Sequence, residues 1–131
     1  MKKTKVTKTK VKKFTIIFSL VFTLLLFLTQ FVFAYPVPSA VIGEVFGLGA
    51  NHAYVFITAS DPINADTLYY NSLQADDLGR FVDIIPLDSG TEFILTVQLL
   101  PSNGEMPQDS VTIVYEDVMA GDENYVNYTF P

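Results

Sequence analysis

The sequence predicts an all-β domain, an antiparallel β-sandwich of about seven strands, behind an N-terminal apolar segment. Three observations predict it. After residue 34, apolar residues alternate with polar ones in short runs, the period of two that a half-buried strand requires. These runs recur about every 8–14 residues, with Gly, Pro, Asn and Asp between them. No part of that region carries a convincing helical repeat, so a sandwich is the architecture that lets such strands cover one another.

The elements follow in order. "YPVPS" (35–39) reads as an extended proline-rich linker. "AVIGEVF" (40–46) is a first strand in which Gly43 marks a bulge or a close approach. "HAYVFITA" (52–59) is a second, with His52, Tyr54, Phe56 and Thr58 on one face and Ala53, Val55, Ile57 and Ala59 on the other. "DTLYYNSLQA" (66–75) is a weaker strand, or two short ones broken near Asn71–Ser72. In "RFVDIIPL" (80–87), Phe81, Ile85 and Leu87 share a face, and Pro86, which has no N–H, makes the strand an edge or irregular. "TEFILTVQLL" (91–100) puts Phe93, Leu95, Val97 and Leu99 together. "PSNGEMPQD" (101–109) is a hairpin loop leading into "SVTIVYED" (110–117). "NYVNYTF" (124–130) closes the sheet, with Val126, Tyr128 and Phe130 on its apolar face.

Charge divides the chain sharply. Residues 1–34 hold seven lysines and no acid, a charge of +7. Residues 35–131 hold all fourteen acids and one base, Arg80, a charge of −13. The lysines precede "FTIIFSLVFTLLLFLTQFVFA" (14–34), an uncharged run ending in Val32-Phe33-Ala34. That order describes a secretory signal cleaved before Tyr35, or a retained anchor, since 21 residues also reach the length of a membrane span. In either case the part beyond residue 34 is exported, because the lysines stay inside. The expected organisation is therefore 1–34 signal or anchor, 35–39 linker and 40–131 sandwich. Contact with a membrane is expected only through residues 14–34 if uncleaved. At −13 the exported part is a poor partner for nucleic acid, whose phosphates need cations opposite them. There is no cysteine, so no disulfide staples it.

"DDLGRFVDIIPLDSGTEFILTV" (76–97) resembles the bacterial immunoglobulin-like modules of surface proteins and glycan-acting enzymes, including the accessory domain of glucodextranase. Asp77, Gly79 and Phe81 match the polar-x-Gly-x-Phe part of the pattern. Ile85, Pro86 and Leu87 match the next part, and Gly90 and Thr91 the turn. Carboxypeptidase regulatory-like domains of the prealbumin-like fold are similar too, so both topologies stay open. The roles expected within the motif are structural. Asp77 caps the turn, Gly79 takes a positive φ and Phe81 fills the core.

Residues able to carry chemistry are few. His52 is the single histidine, and no nucleophile elbow or Ser/His/Asp pattern accompanies it. No catalytic, cofactor or metal-ligating residue is therefore assigned. Asp61, Asn64 and Asp66 lack the spacing of a calcium loop. Asp76–Asp77 and Glu116–Asp117 lie at strand ends that could meet, so at most weak calcium association is expected. Tyr69 and Tyr70 are adjacent in a strand, so one faces out, and Tyr125 is expected outside too. "NYT" (127–129) is a glycosylation sequon.

The function expected is an exported, non-catalytic surface or envelope interaction module whose partner is a surface protein or a glycan. A carbohydrate-binding accessory domain is the alternative. A strand-exchanging filament subunit or a secreted enzyme comes third. Export predicts that mass spectrometry of the native protein finds an N-terminus at Tyr35, or a full-length chain in the membrane fraction. A soluble full-length chain in the cytoplasm would contradict it.

Overall fold

The structure, a computed structural model, describes residues 16–25 and 35–131. The chain divides into two units, Met1–Phe33 and Ala34–Pro131. In the first, residues 16–25 are helical. The lysine head, the rest of the apolar run and the expected cleavage motif lie outside the described residues. Among the described residues, no helix is long and apolar enough to cross a membrane.

The second unit is a sandwich of seven strands: β1 (Pro36–Phe46), β2 (Tyr54–Ser60), β3 (Thr67–Gln74), β4 (Arg80–Asp88), β5 (Glu92–Leu100), β6 (Val111–Met119) and β7 (Glu123–Thr129). They form a three-stranded sheet in the order β4-β1-β7 and a four-stranded sheet in the order β3-β2-β5-β6. Alternation does the sorting. Val55, Ile57 and Ala59 of β2 and Phe93, Leu95, Val97 and Leu99 of β5 are fully buried against Val41 and Val45 of β1, Phe81 and Ile85 of β4, and Val126 of β7. Each buried set is the apolar face of its strand.

Several details differ from the sequence-based expectation. Residues 35–39 are not a linker, because Pro36–Ser39 form the first part of β1 and pair with β4. The prolines fit there for a physical reason. Pro38 stands opposite Pro86, a pair in which neither residue needs an N–H toward the other. β7 does not reach this part of β1, since its pairing begins at Ala40, so the other side is open. Ser39 is also fully buried, and its Oγ accepts the Gly121 N–H at 2.7 Å. β3 runs unbroken through Asn71–Ser72. His52 is not the start of a strand but a turn residue with φ of 59°.

Pairing is antiparallel except at β7, which runs parallel to β1. The chain leaves β6 through the Met119–Asp122 turn, where Gly121 has φ of 101°, and crosses to the other sheet. It then lies beside β1 instead of returning along β6. The strand order also differs from the constant-type immunoglobulin order, which pairs strands 1-2-5-4 and 3-6-7 in its two sheets. Only the β2–β5 pair is common to both.

Gly43 marks a close approach, not a bulge. The far end of the Phe81 ring lies against it, and a Cβ at position 43 would overlap that ring. Phe81 is itself buried to 4% exposure. Phe81→Ala is expected to cost about 3–5 kcal/mol in a denaturant titration. Gly43→Ala should also destabilise, and Phe81→Leu should recover part of that loss, because the two sites share one contact. Independent, additive effects would show that the ring does not occupy this place.

Candidate binding face

The outer face of the four-stranded sheet carries the clearest candidate site. β2 buries Val55, Ile57 and Ala59, so strand geometry turns Tyr54, Phe56 and Thr58 outward. β3 turns Tyr69, Asn71 and Leu73 toward the core and Tyr70, Ser72 and Gln74 out. The register then sets Tyr70 opposite Thr58, Ser72 opposite Phe56 and Gln74 opposite Tyr54. Tyr54 and Phe56 follow each other at about 7 Å along β2. Tyr70 stands diagonal to Phe56, at about 7–8 Å. β5 extends the face with Thr96 beside Thr58 and Gln98 beside Phe56, and β6 adds Thr112 and Val114. Tyr54 is 40% exposed and Tyr70 58%. A shallow depression of about 350 Å³ lies among Tyr54, Phe56, Ser72, Leu73 and Gln74.

This face is neutral in a region rich in acids. The outward positions of β2 and β3 hold no charge, and those of β5 and β6 hold acids only at Glu92, Glu116 and Asp117, at the end away from Tyr54. Flat aromatic rings beside amides and hydroxyls, without charge, suit a ligand that offers both C–H faces and neutral hydroxyls.

The other sequence candidates fall elsewhere. Tyr70 is the outward member of the Tyr69–Tyr70 pair. Tyr125 is 62% exposed but belongs to the opposite sheet, beside Ile42, so it shares no plane with Tyr54 and Tyr70. Asn127 of the sequon is on that same outer face. Asp61 folds back on its own loop, its Oδ1 accepting the Ile63 N–H at 2.8 Å and the Asn64 N–H at 3.3 Å. Asp76–Asp77 and Glu116–Asp117 do not meet. The register puts the first pair beyond Gln74, at the Tyr54–Leu100 end of the sheet, and the second at the Glu92–Met119 end. Among the described residues, no group of three or more His, Cys, Asp or Glu is placed to hold a metal ion.

His52 does meet a carboxylate. Its Nε2 lies 2.6 Å from Asp77 Oδ1, and the Arg80 Nε lies 3.2 Å from Asp76 Oδ2 alongside. With Leu78 these residues line a surface depression that contains no hydroxyl or thiol nucleophile. Asp76 is occupied structurally. Its Oδ1 accepts the Arg80 and Leu78 N–H groups, each at 2.9 Å, and these bonds, the one from Arg80 foremost, hold its carboxyl below the usual range. The turn is thus capped by Asp76, where the motif had pointed to Asp77. Gly79 fills its expected role, with φ of 78° and its α-carbon close to the Val45 carbonyl.

A cavity of about 440 Å³ opens at the same end of the sandwich, between Leu48, Pro101, Asn103, Gln108, Tyr128 and Phe130. The polar side chains of Asp109 and Ser110 on its wall are used within the loop, by the Glu105 N–H and the Pro107 carbonyl. Its groups hold the β5–β6 loop in shape and leave the open sheet face as the better site.

Asp83 escaped the sequence reading, although its parity with Phe81 and Ile85 places it inside. It is 8% exposed and accepts hydrogen bonds from the Tyr69 hydroxyl, at 3.0 and 3.2 Å, and from Asn71 Nδ2 at 3.0 Å. Burial first, then the bond to Asp83, pushes the Tyr69 hydroxyl above its ordinary value. A proton held more tightly in the folded state makes stability fall once pH passes the unfolded tyrosine value of about 10. Chemical denaturation between pH 8 and the alkaline limit should therefore show declining stability above about pH 10. Tyr69→Phe should flatten part of that decline, and an unchanged slope would separate Tyr69 from the effect.

No protein-family model matches the chain, and no curated protein matches it. Among solved structures, it is similar to the dioxygenase domain of a dioxygenase–carbohydrate-binding protein fusion from the cellulolytic bacterium Streptomyces sp. SirexAA-E. The two are 13% identical, with 71% of this chain and 79% of that chain covered at a TM-score of 0.49.

Proposed function

We propose that the chain is an exported, non-catalytic module of the cell surface or envelope that holds a neutral glycan against the outer face of its four-stranded sheet. The observation that carries this reading is the row Tyr54, Phe56 and Tyr70 on the uncharged part of that face. A pyranose ring has an apolar C–H face that stacks on an aromatic ring, and equatorial hydroxyls that meet amides and hydroxyls such as Gln74, Gln98, Ser72 and Thr96. Steps of about 7 Å between aromatics let one extended saccharide chain touch all three rings. The charge of −13 repels acidic polysaccharides, which narrows the ligand to neutral ones. Export is supported by the lysine head and the apolar run that follows it. Of the two families that the sequence resembles, we infer the prealbumin-like, carboxypeptidase regulatory-like topology, since a single strand pair is shared with the immunoglobulin order.

Calorimetry of residues 35–131 with soluble neutral polysaccharides tests the reading. Tyr54→Ala and Tyr70→Ala should each weaken binding about tenfold, equivalent to about 1.4 kcal/mol, with unchanged circular dichroism. Tyr125→Ala, on the opposite sheet, should leave affinity alone. If Tyr54 and Tyr70 can both be removed without loss, the face is not the binding site.

A further inference from the structure

The aromatic row on the four-stranded sheet has a shape as well as a chemistry. Tyr54, Phe56 and Tyr70 are separated by steps of about 7 Å, so the row spans about 14 Å from end to end. Phe56, in the middle, is half-buried, and the tyrosines on either side of it are more exposed. The shallow depression beside Tyr54 and Phe56 is completed by Ser72, Leu73 and Gln74. All five belong to β2 or β3. Among the described residues, no loop residue adds to its wall, so it suits a ligand laid across it and not one inserted by its end.

Polar groups flank the row on both sides. On the outer side, along β3, Gln74 stands beside Tyr54 and Ser72 beside Phe56. On the inner side, Gln98 of β5 stands beside Phe56 and Thr58 of β2 beside Tyr70. Each flank is one strand spacing, about 5 Å, from the row. The two glutamines are held in place by the protein. Gln74 Nε2 donates to the His52 carbonyl at 3.4 Å, and Gln98 Nε2 to the Ser110 Oγ at 3.2 Å. Each amide keeps a second N–H and a carbonyl oxygen, and among the described residues no donor meets either oxygen. A fixed donor and acceptor therefore stand on each side of the rings.

Such a surface selects neutral glycans by their linkage. A pyranose chain linked equatorially at both ends of each ring is a flat ribbon. Its faces are C–H surfaces, and its hydroxyls project along both edges. An axial bond at the anomeric carbon turns the chain at every step, so it coils and cannot lay successive rings along a straight row. Resting on the glycan-binding reading above, we propose that this face takes an unbranched, equatorially linked chain of the β-(1→4)-glucan type, held along its interior. One face of the ribbon lies on Tyr54, Phe56 and Tyr70. One edge meets Gln74 and Ser72, and the other meets Gln98 and Thr58.

The test is calorimetry of the full chain, in a detergent without a sugar head group, against cello-oligosaccharides and malto-oligosaccharides from disaccharide to hexasaccharide. Both series are uncharged polymers of one sugar and differ in linkage. Affinity for the β-linked series should rise about tenfold from disaccharide to hexasaccharide, and the α-linked hexasaccharide should bind about tenfold less tightly than the β-linked one. Tyr70→Ala should cancel most of the gain with length and spare the disaccharide, which the depression at the Tyr54 end accommodates. Reducing the β-linked hexasaccharide to its alditol should leave its affinity unchanged, because the site does not read a chain end. Equal binding of the two series, a disaccharide that binds as tightly as the hexasaccharide, or binding lost on reduction would each overturn the inference and leave a glycan-binding face in place. So would binding of other neutral glycans with none of the β-linked series. If no neutral glycan binds, the reading on which the inference rests falls too.

Discussion

The domain depends on β1 being paired along both of its edges. From Ala40 onward its even-numbered peptide groups bond to β7 and its odd-numbered ones to β4, so this stretch of the central strand is paired on both sides. Before Ala40 one edge is open, and the two prolines are confined to that part. Val41, Gly43 and Val45 face inward from the doubly paired segment, and the Phe81 ring seats on Gly43 between them. Without disulfides, this pairing and the core beneath it are what hold the chain's last strand to its first.

The two sheets are then tied at opposite edges by tyrosine hydroxyls. Tyr69 reaches across from β3 to Asp83 of β4, and Tyr115 from β6 to the β7 backbone. Both hydroxyls are raised above their ordinary values, Tyr115 by burial and Tyr69 by burial together with its carboxylate partner. Tyr70, one residue from Tyr69, faces solvent on the candidate binding face. The period of two gives neighbouring tyrosines unrelated tasks.

Charge placement separates structure from proposed function in the same way. Acids collect in the turns and at strand ends, where Asp61 and Asp76 cap local N–H groups. The middle of the four-stranded sheet is left neutral and aromatic. A high net charge favours solubility, while the candidate face stays uncharged around Tyr54, Phe56 and Tyr70.

Strand content, the core faces and the outward turn of one of Tyr69 and Tyr70 were legible in the sequence, because side-chain alternation is a local property of an extended chain. Gly79 and Gly43 were legible as backbone constraints for the same reason. The choice of Asp76 over Asp77 as the cap was not, since both stand within reach of the turn and only its folded path decides which carboxylate meets the N–H groups. Asp83 sat in plain parity with Phe81, but the donors that let a carboxylate be buried, Tyr69 and Asn71, come from another strand. The assembly of Tyr54, Phe56 and Tyr70 into one row required the β2–β3 register. The parallel docking of β7 on β1, and with it an order unlike the immunoglobulin one, required the whole fold. Periodicity within a strand says which residues share a face, whereas the partner across the ladder is set by long-range closure among strands far apart in the chain, which only the tertiary structure decided.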